Sequence, residues 1–144
     1  MEIRLVQGSD YYVISPLIND WWNGRKMSDM LPKLFFDHFK NTSFIAEEEG
    51  EIIGFLIGFL SQSYSNEAYI HFVGIHPEHR GKGIGRQLYN QFFDVIKQHG
   101  RSIIRCVTSP VNKDSIAYHT KMGFEIEQGD SINQDKVLFI KCLT

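Results

Sequence analysis

The sequence predicts an α/β fold in which a central, mostly antiparallel mixed sheet is flanked by helices, in the order βααβββαβαβ with room for one more short strand. Three observations predict it. Several runs alternate or are β-rich in the manner of strands, one long stretch repeats apolar residues at steps of three and four, and a glycine-rich turn joins the two kinds of pattern. At 144 residues, 42% hydrophobic and 13% aromatic, the chain suits a single domain over residues 1–144 built on one core.

Glu2 to Val6 alternates like a strand, and Asp10 reads as an N-cap for a helix from Tyr11 towards Trp22, closed near Asn23-Gly24. A second helix is expected from about Asp29 to Lys40, with Ser28 as cap and Pro32 in its first turn. Thr42 to Glu48 and Glu51 to Ser61 flank Glu49-Gly50, a hairpin signal, and Glu67 to Ile75 makes a further strand. From Ile84, apolar residues at Ile84, Leu88, Phe92, Val95 and Ile96 define one helical face ending near Gly100. Ser102 to Thr108 resumes strand character, Asn112 to Lys121 makes a short capped helix stopped by Gly123, and Lys136 to Cys142 is the last strand. The polar stretch from Gly129 to Gln134 reads as an exposed loop.

A formal net charge of -2 and a pI near 6.3 argue against attachment to nucleic acid or to an acidic membrane surface. The longest apolar run, Ile52 to Leu60, is far shorter than the roughly 20 residues that span a bilayer, and Gly54 and Gly58 interrupt it. No export signal is visible, so a cytoplasmic location is expected, and Cys106 and Cys142 are too isolated for a disulfide framework or a metal site.

The stretch "HPEHRGKGIGRQL", His76 to Leu88, places three glycines and three cations where a strand gives way to a helix. There, free backbone N–H groups and the helix dipole converge on an anion. A dinucleotide fingerprint fails because Leu88 stands where its third glycine should be, and a Walker loop fails because Gly83 follows Lys82 and no glycine opens the motif. What remains is R-x-x-G-x-G, Arg80 to Gly85. A solvated basic turn would be its bland alternative.

With "VGIHPEHRGKGIGRQLYNQF" on one side and "NKDSIAYHTKMGF" (Asn112 to Phe124) on the other, the sequence resembles the GCN5-related N-acetyltransferase (GNAT) family. That resemblance implies the acyl-CoA N-acyltransferase fold and acetyl-CoA as co-substrate, without a metal. It implies that the Val73 and Ile75 backbones, with Gly74 between them, pair with the pantetheine arm. Gly81, Lys82, Gly83, Ile84, Gly85 and Arg86, with Arg80, would hold the pyrophosphate of coenzyme A, and Asn112 and Ser115 would also contact the cofactor. For Asn112, capping the helix is a compatible role. Family members are often dimers, so a homodimer is possible.

The implied reaction is direct attack by a neutral amine of a small molecule or peptide on the thioester. The resemblance places a tyrosine, as general acid, at the position His119 occupies; His119 could protonate the thiolate or simply pack. For the base, alternation puts Glu67, Tyr69, His71 and Val73 on one strand face, making His71 and Glu67 the candidates. A core histidine satisfied by a carbonyl and a solvated edge carboxylate are the alternatives. In "DWWNGRKM", Trp21 and Trp22 offer an aromatic wall for the acceptor and Arg25 a partner for a carboxylate, unless both tryptophans cover the core. A non-catalytic acyl-CoA-binding or sensing module, and a nucleotide-binding protein, remain rival readings.

Overall fold

The computed structural model describes residues 1–127 and 136–143. Its strands are β1 (Glu2–Leu5), β2 (Phe44–Glu48), β3 (Glu51–Leu60), β4 (Glu67–Ile75), β5 (Ile103–Thr108), β6 (Glu125–Ile126) and β7 (Val137–Cys142). The helices are α1 (Asp10–Trp21), α2 (Leu34–His38), α3 (Ile84–Gln98) and α4 (Lys113–Lys121). One sheet runs β1-β2-β3-β4-β5-β7-β6, with β4 and β5 its parallel pair among the described residues. The expected α/β architecture stands, with β6 as the additional short strand.

Local chemistry explains most boundaries. The β2–β3 hairpin turns through Glu49 (φ 52°) and Gly50 (φ 79°), both left-handed, as a tight two-residue turn demands. Helix α1 begins at Asp10 itself, after Ser9. The Asp10 carboxylate accepts two bonds from the Arg4 guanidinium, at 2.8 and 2.9 Å, tying the helix start to β1.

The single helix expected over Asp29 to Lys40 does not form. A short 3-10 turn at Ser28–Met30, the five-residue α2 and a second 3-10 turn at Lys40–Thr42 replace it. Pro32 is the physical reason: it pushes the preceding residue out of the helical region, and Leu31 has φ -132°, ψ 68°. The Gly129 to Gln134 loop lies outside the described residues.

Helices α3 and α4 pack on one face of the sheet, and α1 and α2 on the other. Ile84, Leu88, Phe92 and Ile96 of α3 are buried, with Tyr89 and Phe93 beside them. A Cβ on Gly58 would stand 2.5 Å from the Phe92 ring, so glycine there lets α3 lie close on β3. The opposite layer sets Ile14, Ile18, Trp21 and Phe36 against Ile45, Phe55, Ile57 and Phe72.

One irregularity positions the site. Ile57 of β3 pairs with Phe72 and Gly58 with Ile70, so His71 is an unpaired bulge in β4. Before it, Ala68 and Ile70 join the α3 core while Tyr69 stacks on Phe59 on the other side. After it, Phe72 joins the α1 core and Val73 and Ile75 pack towards α3. The expectation that Val73 shares a face with Glu67, Tyr69 and His71 is therefore corrected: the bulge reverses the alternation, and Val73 lies on the α3 side.

Candidate functional site

Strands β4 and β5 pair only over Glu67–Ile103, Ala68–Ile104 and Tyr69–Arg105. Beyond Tyr69 β5 continues beside β7 while β4 continues beside β3, so the sheet opens into a cleft. Residues 70–75 of β4, which include Val73, Gly74 and Ile75, thus carry one edge without a strand neighbour among the described residues. An extended chain could add there as a strand does.

At the end of β4 the chain passes through a 3-10 turn at Pro77–His79 into the glycine turn. Gly81 (φ 79°) and Gly83 (φ 82°) adopt left-handed conformations, and a Cβ on either would meet no atom within 4 Å. Glycine is required there by backbone conformation, and the space above it is open. Gly83 is the N-cap of α3, and the first bond into the helix is Gln87 N–H to the Gly83 carbonyl at 3.1 Å. The backbone N–H groups of Gly81, Lys82, Gly83, Ile84, Gly85 and Arg86 have no protein acceptor among the described residues. With the exposed Lys82 and Arg86 side chains beside them, these donors form a cradle suited to a pyrophosphate.

Arg80 is engaged differently from its neighbours. Its Nε donates to the Ile75 carbonyl at 3.2 Å and its guanidinium to the Trp21 carbonyl at 2.6 Å. It ties the end of β4 to the end of α1.

On α4, the Asn112 side chain accepts the Ser115 N–H at 3.1 Å as a helix cap. His119 turns inward. Its Nδ1 lies 2.7 Å from the Ser115 carbonyl, which only accepts, so Nδ1 carries the hydrogen and Nε2 accepts from the buried Tyr89 hydroxyl at 2.9 Å. The ring stacks on Phe139 at 4.8 Å and meets Phe124 edge-on at 5.3 Å. Burial lowers the pKa of this imidazole, and the bond to Ser115 opposes the shift only in part. The folded protein therefore takes up this proton less readily than the unfolded chain, whose histidine titrates near about 6.5. Urea unfolding at a series of pH values should show His119's contribution intact above about 6.5 and lost as pH falls through the lowered value. His119→Asn should flatten that fall.

On the α1/α2 side, His71 Nε2 donates to the Met30 carbonyl at 2.6 Å and the ring stacks on Phe35 at 4.2 Å. This fixes the neutral tautomer with the lone pair on Nδ1, which no protein donor occupies among the described residues. Glu67 is held by Arg105 Nε at 2.8 Å, and Arg105 also bridges to Glu127. Trp21 is buried, stacked on Phe55 at 5.9 Å, whereas Trp22 is half-buried against Phe72 at 5.0 Å and lies over Gly74. The 100° step between adjacent helical residues separates them. Arg25 is exposed in the turn after α1.

Sequence reasoning missed three participants. Arg105 and Phe35 carry no motif and meet Glu67 and His71 only through the fold. Tyr118 did stand in the second block, beside His119, but its sequence position did not reveal that its hydroxyl lies over Gly85. Cys106 is buried, its thiol pushed up to about 12, and cannot supply a thiolate nucleophile. Among the described residues no group of histidine, cysteine or carboxylate side chains could hold a metal, and no helix is long and apolar enough to cross a membrane.

A profile of the acetyltransferase (GNAT) family matches residues 11–124. The L-2,4-diaminobutyric acid acetyltransferase of Nocardia farcinica is 33% identical over 79 residues, 55% of this chain and 41% of that protein. The chain spans about half the length of the curated relatives it matches first. Two solved structures establish the fold. The diaminobutyrate acetyltransferase EctA from Paenibacillus lautus, in complex with L-2,4-diaminobutyric acid and coenzyme A, superposes with TM-score 0.72 at 23% identity, covering 96% of this chain and 92% of that one. The structure of yncA from Salmonella typhimurium, with acetyl-CoA, gives 0.74 at 22% identity, covering 100% and 94%. The match from the first helix to Phe124, joined to a cleft and glycine turn of this shape, leads to one conclusion: the chain belongs to the acetyltransferase (GNAT) family.

Proposed function

We propose that this chain acts as one N-acetyltransferase domain, moving an acetyl group from acetyl-CoA to a primary amine of a small molecule by direct attack. The observation that carries this reading is the run of six unpartnered N–H groups from Gly81 to Arg86 at the mouth of the β4–β5 cleft. Gly81 to Arg86 hold the pyrophosphate, and the free edge of β4 around Val73 and Ile75 lies along the pantetheine arm. Asn112 and Ser115 hold the start of α4 beside it. Acetyl-CoA supplies an activated acyl carbon and a thiol leaving group of pKa about 8.5, which departs with little help from an acid.

The chain's main task is then to take a proton from the amine. A lysine-like amine of pKa about 10.4 is neutral in about one molecule in 2,500 at pH 7, a handicap of roughly 4.6 kcal/mol. His71 takes that proton on Nδ1, directly or through water, with Met30 and Phe35 fixing the ring. Backbone N–H groups on the open edge of β4 stabilise charge on the acyl oxygen. Glu67, bound by Arg105, orients this corner of the site, and His119 supports α4 from within. Trp22 walls the acceptor cleft and Arg25 offers charge to an acceptor carboxylate, a feature of the diaminobutyric acid named for two relatives.

Thiol release from acetyl-CoA in the presence of diaminobutyrate, other amino acids, polyamines, aminoglycosides and peptides tests the reading. Saturable turnover with a small amine is expected. Saturable acetyl-CoA binding with no turnover across the panel would assign the chain to an acyl-CoA sensing module, and competition by ATP but not coenzyme A to nucleotide binding.

A further inference from the structure

Helix α4 turns two neighbouring polar side chains in different directions. The His119 imidazole points into the core, with both nitrogens engaged. The Tyr118 ring is 38% exposed and leans the other way, over the first turn of α3. A Cβ on Gly85 would stand 2.6 Å from the Tyr118 hydroxyl oxygen and 3.4 Å from the carbon bearing it. The phenol thus rests directly against Gly85, the second residue of α3, inside the run of free N–H donors. Tyr89 packs behind it, ring centroids 5.9 Å apart, which limits its retreat. Among the described residues no protein hydrogen bond engages the Tyr118 oxygen. The charged side chain that acts on the Tyr118 hydroxyl is Arg86, in the first turn of α3.

A half-covered hydroxyl with a hydrogen to give, set among backbone donors beside Arg86 and bonded to no protein acceptor among the described residues, is complementary to a ligand that brings acceptors. We propose that Tyr118 is a further cofactor-binding residue: its hydroxyl donates a hydrogen bond to a phosphate oxygen held in the glycine turn, and this placement requires glycine at position 85. The inference rests on the acetyl-CoA reading above and adds to it a donor from α4, so that two separate elements close on the same anion. Tyr118 is assigned to binding and not to proton transfer, because it stands over the helix start that receives the phosphates.

Isothermal titration of the protein with coenzyme A tests this without turnover. Tyr118→Phe, which keeps the ring and removes the hydroxyl, should weaken coenzyme A binding by at least about tenfold, the low end for a hydrogen bond to a charged group. The KM for acetyl-CoA should rise in parallel, with the shape of the kcat pH profile retained. Gly85→Ala should weaken binding in the parent protein by pressing on the hydroxyl, and should weaken it clearly less in the Tyr118→Phe background, a non-additivity that a merely structural tyrosine would not give. Unaltered coenzyme A affinity in Tyr118→Phe overturns the proposal. A fall in kcat with altered pH dependence and unchanged affinity also overturns it, by making Tyr118 a proton donor. If the parent protein itself binds no coenzyme A, the acetyl-CoA reading fails first, a result distinct from either of these.

Discussion

Gly83→Asp is expected to raise the Kd for coenzyme A by about 100-fold or more, equivalent to at least about 2.8 kcal/mol. Gly83 stands at the N-cap of α3 with φ 82°, in the middle of the unpartnered N–H run. An aspartate there brings a carboxylate to donors that the pyrophosphate would otherwise use, and sets like charge against the phosphates. The fold should survive. Left-handed backbone costs a non-glycine residue about 1–2 kcal/mol, but aspartate tolerates it better than most and is a favoured helix cap that offsets part of the loss. Gly83→Ala separates the two effects, since it carries the same backbone strain with no charge and should bind coenzyme A substantially better than Gly83→Asp. Titration calorimetry alongside thermal unfolding reads both quantities. Near-parental affinity in Gly83→Asp would remove the cradle from the account.

The second large effect concerns His71. His71→Ala should lower kcat/KM at pH 7 by about 100-fold to 1,000-fold, within the range for a positioned general base. The deficit should shrink as pH rises towards the amine pKa, because solution then supplies the neutral amine unaided. The pH profile is the decisive measurement: a loss that is constant with pH would reflect the Phe35 stack and the Met30 hydrogen bond, and would take the base role from His71. Glu67→Gln provides the contrast, since the Glu67 carboxylate is held by Arg105 and its removal should act mainly through the Arg105–Glu127 pair.

The parts of this molecule that were legible in the sequence are those decided by near neighbours along the chain. The helix from Ile84, the turn at Glu49-Gly50, the Asn112 cap and the donor-rich glycine turn each depend on residues within a few positions of one another. The break at Pro32 was also local, but the proline suited a helical first turn as well as it suited a stop, and Leu31 decided between them. What could not be read depends on partners far along the chain. The bulge at His71 exists because β3 pairs Ile57 with Phe72 and Gly58 with Ile70, and no feature of Glu67 to Ile75 taken alone announces it. The inward turn of His119 depends on Tyr89 and Phe139, and the engagement of Arg80 on Trp21, 59 residues away, is likewise invisible to spacing. The glycine turn was thus mostly legible along the chain, and the surroundings of His71, Glu67 and His119 were not.

The unpaired residue in β4 also governs how this sequence can vary in length. Substituting His71 keeps the number of residues along the strand, and both faces keep their occupants. Deleting it would restore unbroken alternation with both faces occupied as before: Ala68 and Ile70 would stay in the α3 layer, and Phe72 and Gly74 on the α1 side. For the fold, position 71 is open to a change of chemistry and to its own removal, since the β3 ladder already passes over it. What it contributes is an imidazole held out of the ladder against Met30 and Phe35, a guest of the sheet and not one of its rungs.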